Sequence, residues 1–320
     1  MVPREWPRHP RQPGDGLTPA PDQPRSGEAL GWAAAFAAVL IWAGWAVAAR
    51  GFFLSPADAL ATPDLVALRF MLAGAITLPR AALRPPPVRA LGAWRTAVVV
   101  TAGGFTFSLC NTGGFAFAPA AHGGALTSPL GAVFTALLAA LVLNERLSRA
   151  RGAGLALILA GAVALLAAVL AADTPASVFI GHALFVAAGL QWAVYTVVMR
   201  GARLPPLDAL SLACVGAALA YLPAWALLRG PAALLGAPAG TVLTQAVLHG
   251  LMSQVISILL FNLAVTRLGA ARPATCGALV PPVVALGAAL LLGEVPAPAE
   301  LPGLALLTLG VWLASRPAAR

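Results

Sequence analysis

The sequence predicts an all-α integral membrane protein whose ten transmembrane helices form two inverted-topology repeats of five. Three observations carry that prediction. First, 60% of the 320 residues are hydrophobic and only 10% are charged, against roughly 25% charged in an ordinary soluble domain. Second, the stretch from Pro119 to Leu165 returns near the C-terminus. At one constant offset Ala121 falls on Ala270, Glu145 on Glu294 and Gly161 on Gly310, and Gly154-Leu155-Ala156-Leu157 recurs as Gly303-Leu304-Ala305-Leu306. Third, the basic residues are all arginine and gather at the ends of apolar runs. A net charge of +9 spread in that way orients a chain in a bilayer and forms no single patch for nucleic acid.

In chain order, residues 1–29 are rich in Pro, Arg, Gly and Asp and read as a disordered cytoplasmic tail. A secretory signal would place a short apolar core directly after the first positive charges. Here the first apolar run begins near Leu30 and extends far enough to span about 30 Å of hydrocarbon. The predicted spans are 30–49, 64–79, 97–115, 120–143, 152–171, 181–199, 207–228, 242–264, 273–292 and 301–315. The second and tenth are short, and Gly-rich steps interrupt the third.

With the N-terminus inside, the cytoplasmic segments hold seventeen arginines. Arg4, Arg8, Arg11 and Arg25 lie in the tail. Arg80, Arg84, Arg89, Arg95, Arg146, Arg149, Arg151, Arg200, Arg203, Arg267, Arg272, Arg316 and Arg320 complete the set. The outside loops hold only Arg50 and Arg229, and Arg69 lies within a span. That bias places both termini in the cytoplasm.

The front of each repeat matches too. Residues 31–51 and 181–201 share ten identities in twenty-one positions, among them Gly31/Gly181, Trp42/Trp192 and Arg50/Arg200. The repeats are therefore 30–171 and 181–315, followed by a cytoplasmic end at 316–320. Five helices each is an odd number, so the second copy enters the bilayer upside down. The arginine-rich loop at Glu145 then lies inside, and its arginine-free partner at Glu294 lies outside. Inverted repeats with a site near the midplane mark secondary transporters.

The chain resembles the EamA-type transporters of the drug/metabolite transporter superfamily from about residue 30 to 315. The resemblance rests on Phe134 to Leu147 (FTALLAALVLNERL), on Pro281 to Glu294 (PPVVALGAALLLGE), on the mid-helix Trp42 and on Arg69-Phe70. It implies ten helices in two inverted halves, and movement of small metabolites or drugs across a bacterial inner membrane. Two features depart from the pattern. Asn144 stands where Gly is usual, and Pro129 lies three residues before the position that Pro281 predicts.

Candidate site residues are the polar and aromatic groups at mid-membrane depth. Trp42 and Trp45 share one face of the first helix, and Trp192 and Tyr195 hold the matching positions on the sixth, beside Gln191. They read as walls of a shared cavity for an organic solute, or as packing. Arg69 is either a snorkelling or structural ion-pair residue, with Asp64 as nearest acid, or the counter-charge of a substrate carboxylate. Asn111, Thr112, Gln254, Ser257 and Asn262 lie on equivalent helices and suit interhelical bonds or a pocket equally. His122 is the candidate for gating or proton coupling. Glu145 and Glu294 read as structural.

The absences bear on mechanism. No lysine means no P-loop lysine. No metal-ligand motif appears, and Cys110, Cys214 and Cys276 read as packing residues. No metal or cofactor is expected. Gly154/Gly161 and Gly303/Gly310 give two helices small faces, for packing within the chain or, as the alternative, a homodimer seam. The expected function is secondary transport, the export of a small organic metabolite, amino acid or drug-like solute by alternating access around a central cavity; of the alternatives, an integral-membrane enzyme on a lipid-linked substrate lacks its motifs here, and a non-transporting membrane scaffold or sensor lacks the loops for a soluble partner. The expected partners are a small-molecule solute and the lipid bilayer.

Overall fold

In a bilayer no water satisfies the peptide groups, so an apolar chain must close its hydrogen bonds within each helix. The computed structural model describes residues 27–55, 60–145, 147–172, 174–269 and 271–315, and among them it contains helices and no strand. Most of the expected tail, the expected C-terminal end and Arg146 lie outside the described residues.

Helix α1 (Glu28–Leu54) runs past Arg50, several residues beyond the expected span. α2 (Thr62–Leu83) opens with Pro63 in its first turn, and the Asp64 carboxylate accepts the Ala61 N–H at 2.9 Å. α3 (93–117) is divided: Ala93–Val100 and Thr106–Phe117 are joined by a π turn at Thr101–Phe105, where Gly104 leaves helical geometry. α4 (Ala120–Val142), α5 (Arg149–Ala171), α6 (Ser177–Ala202) and α7 (Pro206–Leu228) follow. α8 (Ala239–Leu268) carries a π stretch at Val247–Ile256. α9 (Gly277–Leu292) and α10 (Leu301–Ala314) close the chain.

Seven of these helices, α1, α2 and α4 to α8, are long and apolar enough to cross a membrane by length and composition. α9 and α10 are apolar but shorter. Leu40, Val163, Leu170, Leu219, Leu290 and Leu291 face outward, 61% to 77% exposed. Such a surface suits hydrocarbon rather than water.

The helices pair in a way that respects the repeat. α5 packs on α10 and α2 on α7; α4 packs on α6 as α9 does on α1; α1 packs on α8 as α6 does on α3. Each of these contacts joins one repeat to the other, so neither repeat buries its apolar faces alone.

Glycine makes the α5–α10 contact. Gly154 faces the Gly310 carbonyl and Gly161 the Gly303 carbonyl, so the two helices run antiparallel. A Cβ on Gly161 would lie 2.7 Å from Leu307 N and 2.8 Å from Gly303 O, both backbone atoms that cannot swing aside. The glycine faces therefore meet inside one chain, which takes them away from the homodimer seam held open above.

The departure at Asn144 has a backbone reason. Asn144 adopts φ 55° where the equivalent Gly293 adopts φ 70°. Asparagine is the residue that most readily replaces glycine in this left-handed conformation, so both copies end their helix alike.

Gly161→Ala is expected to destabilise the fold by the roughly 1–3 kcal/mol typical of overpacking. Gly152→Ala, with nothing near its Cβ position, should leave it unchanged. Melting of the two purified variants in detergent checks this.

Candidate functional site

Arg69 lies on α2 and is 3% exposed. A guanidinium in apolar surroundings must recover its lost hydration from neighbours. Nη1 donates to Ser108 Oγ at 3.2 Å and to Gln254 Oε1 at 3.3 Å, and Nη2 donates to Ser253 Oγ at 2.8 Å. The cation also lies over the Trp45 ring, 5.0 Å from its centroid. Hydrogen bonds to a charged group contribute about 1.5–3 kcal/mol each, and a desolvated cation–π contact about 2 kcal/mol. Together these offset the several kcal/mol that burial of one ion costs. They do so with neutral dipoles, so the positive charge itself stays uncompensated.

The two π segments deliver those partners. Ser108 follows the first and donates back to Gly104 O at 3.0 Å; Ser253 and Gln254 lie in the second. π insertions shift the register of side chains along a helix and concentrate at functional positions. Gly250 lets α8 approach closely, since a Cβ there would lie 2.9 Å from Arg69 O. Gln254 Nε2 donates onward to Cys214 Sγ at 3.7 Å.

Trp45 orients a further group. Its indole Nε1–H, a donor only, lies 3.1 Å from His249 Nδ1. Nδ1 must therefore accept, which places the imidazole proton on Nε2 and leaves that ring neutral.

Asp64, the acid nearest Arg69 in sequence, is not its partner. It is fully buried and takes Arg229 Nε and Nη2, each at 2.9 Å, and Trp225 Nε1 at 3.0 Å. Nor does Arg69 snorkel, since it is held by the two serines and Gln254.

The remaining expected residues fall into separate groups. Trp42 packs on Phe261 with centroids 5.5 Å apart, and Trp192 packs on Phe107 at the same 5.5 Å. These pairs join equivalent helices of the two repeats, α1 with α8 and α6 with α3. Trp192 is 40% exposed. Tyr195 lies against Trp192 and fills the space that Gly103 leaves. Gln191 accepts from Thr106 Oγ1 and donates to Cys110 Sγ, so its amide joins α6 to α3. Asn111 Oδ1 accepts from Thr127 Oγ1 at 3.2 Å. Asn262 Nδ2 and Thr112 Oγ1 are buried without a partner, and Ser257 donates to Ser253 O.

His122 belongs to a chain. Its Nε2 lies 3.2 Å from Glu300 Oε1 and its Nδ1 lies 2.9 Å from His182 Nε2. An ionised carboxylate only accepts, so His122 Nε2 carries a proton, and in the neutral imidazole Nδ1 then accepts from His182. His182, His249, Ser108, Ser253 and Glu300 were not among the expected site residues. The two histidines had a signal, as ionisable residues inside apolar runs. Glu300 had none, because it meets His122 across 178 residues.

No group of three or more metal-ligating residues among the described residues is arranged to hold a metal ion.

The His122 hydrogen bond holds the Glu300 carboxyl below its ordinary value of 4.5. A depressed carboxylate contributes stability that is present above its unfolded-state value and lost as pH falls through the folded one. Melting temperature should therefore drop on acidification below about pH 4.5, and Glu300→Gln should flatten that drop. Parallel melts of wild type and variant between pH 7 and pH 3.5 measure it.

Residues 29–167 and 179–316 each match the EamA-like transporter family. No curated protein matches the chain. One crystal structure shares 24% sequence identity over 91% of this chain and 96% of its own, with a TM-score of 0.59. That likeness speaks for the fold alone. The two family matches cover nearly the whole chain, one on each copy of the repeat, and the protein is thus a multi-pass membrane protein of the EamA-like transporter family.

Proposed function

We propose that this chain is a secondary transporter, an exporter of a small organic metabolite, amino acid or drug-like solute, and not an enzyme. In this reading ten spans form two inverted repeats, 30–171 and 181–315, in a bacterial inner membrane with both termini cytoplasmic. The antiparallel α5–α10 pair supports the inversion, because these are equivalent helices of the two copies. Solute passes by alternating access, around a site drawn from Trp42, Trp45, Arg69, Asn111, Gln191, Trp192, Tyr195, Gln254 and Asn262. Facilitated diffusion or exchange fits best, with His122 as the group for gating or proton coupling.

One observation carries the alternating-access reading: the repeats exchange ion pairs. Arg50 of the first pairs with Glu294 of the second at 2.6 Å, and Arg200 of the second pairs with Glu145 of the first. Arg50/Arg200 and Glu145/Glu294 are repeat equivalents, so the two pairs are one interaction made twice, at opposite ends. They differ in burial. The Arg50 and Glu294 side chains are 14% and 17% exposed, those of Arg200 and Glu145 are 43% and 32%. Arg50 also donates to Phe115 O, and Glu294 accepts the Ala120 N–H. That end is tied across α1, α3, α4 and α9, while the other rests on an exposed pair worth little by itself. Such inequality is what a conformer sealed at one end requires.

Two measurements test the reading in proteoliposomes. A labelled solute panel should yield a substrate whose flux falls at least about tenfold in both Trp42→Ala and Trp192→Ala, a loss of about 1.4 kcal/mol or more. Flux that survives both returns those rings to packing. An Arg50→Cys, Glu294→Cys double variant bridged by a short bis-methanethiosulfonate should stop transporting and recover on reduction. Undiminished flux in the bridged protein would refute a gate at that end.

A further inference from the structure

We propose that Arg69 is the counter-ion for a monoanionic organic carboxylate, which docks on the free side-on edge of its guanidinium beside Trp45. This rests on the transporter reading and names its substrate class.

The argument begins with charge. Six carboxylates lie among the described residues, and each is already engaged. Glu28 pairs with Arg272, Asp64 with Arg229, Glu145 with Arg200, Asp208 with Arg80, Glu294 with Arg50 and Glu300 with His122. Arg69, the most buried of the described arginines at 3% exposure, has only serine, glutamine and indole partners.

Geometry sets the docking edge. Nη1 spends its two protons on Ser108 and Gln254, whereas Nη2 donates to Ser253 alone. Nε is buried and has no hydrogen-bond partner. A guanidinium offers five N–H groups, and with Nη1 engaged the Nε/Nη2 edge is the one left to match both oxygens of a carboxylate. A buried N–H without a partner on that edge is a donor that a planar anion would satisfy.

The number of charges sets the class. His249 is held neutral by Trp45 and the chain has no lysine, so one positive charge faces the ligand. A carboxylate neutralises it, whereas a phosphate monoester brings nearly two charges. A zwitterionic amino acid also needs an acid for its ammonium, and the described acids are occupied. Trp45 with Phe115, 5.6 Å away and edge-on, provides an apolar wall for the body of the acid.

The test separates binding from transport. The probes are benzoate, phenylacetate, indole-3-acetate and phenylalanine, each beside its primary amide. They are applied to the full chain in detergent by thermal shift, and to proteoliposomes by counterflow. At least one plain acid should raise the melting temperature, with its amide at least tenfold weaker. Arg69→Gln should lose that discrimination. Gln254→Glu, which places a carboxylate in the chain beside Nη1, should raise the ligand-free melting temperature and abolish binding of the acid. It covers the case in which Arg69→Gln fails to fold.

Acid and amide acting equally, acid binding that survives Gln254→Glu, or no response to any plain acid overturns the proposal. Stabilisation by phenylalanine alone, with the plain acids inert, overturns it in favour of a zwitterion site. Acid binding with the expected variant pattern but no flux upholds the anion site and removes the transporter reading. Flux of a neutral solute without acid binding does the reverse.

Discussion

One positive charge in an apolar bundle constrains everything around it. Arg69 cannot be left to hydrocarbon, and the acid nearest in sequence, Asp64, is committed to Arg229 at the end of α7. Its partners must come from α3 and α8, and a regular helix on either side would present a different set of side chains. Both helices instead carry a π segment, at Thr101–Phe105 and Val247–Ile256. The first precedes Ser108 and the second holds Ser253 and Gln254. The shortest reading of these paired irregularities is that they serve one ion between them.

Around that ion the two repeats behave differently. The aromatic pairs Trp42–Phe261 and Trp192–Phe107 join equivalent helices of the two repeats, and Arg50–Glu294 and Arg200–Glu145 are copies of one contact. Arg69 has no such copy, since α7 holds no charged residue between Asp208 and its end at Leu228. Contacts that are duplicated relate the two halves to each other, whereas a group present once marks one half as different from the other.

Much of this architecture was legible in the sequence, because membrane helices announce themselves locally. An apolar run of sufficient length needs no tertiary partner to be recognised, and identities such as Gly161/Gly310 and Trp42/Trp192 fix which helices correspond. Even the departure at Asn144 kept its meaning once its φ was known to match Gly293. The site was legible only in part. Arg69, Trp45 and Gln254 stood out as costly residues inside apolar runs, and the structure brings them together. The partnership of Arg69 with Ser108 and Ser253 depends on the π register, which periodicity does not reveal.

The same limit applies to His122, whose partners come from distant parts of the chain. Read alone, it was a single histidine near a helix start. In the fold, the turn before α10 brings Glu300 to its Nε2 while α6 brings His182 to its Nδ1. While both imidazoles are neutral, the carboxylate at one end sets the direction of each hydrogen bond in the chain. One added proton on His122 would make Nδ1 a donor and reverse its bond to His182, which must then accept through Nε2. The change is local and requires no backbone motion. It couples α4, α6 and the turn before α10, and so joins the first repeat to the second at the end where Arg50 and Glu294 also meet. A proton gained at His122 therefore acts on contacts that join the two halves, beside the Arg50–Glu294 pair that joins them at the same end.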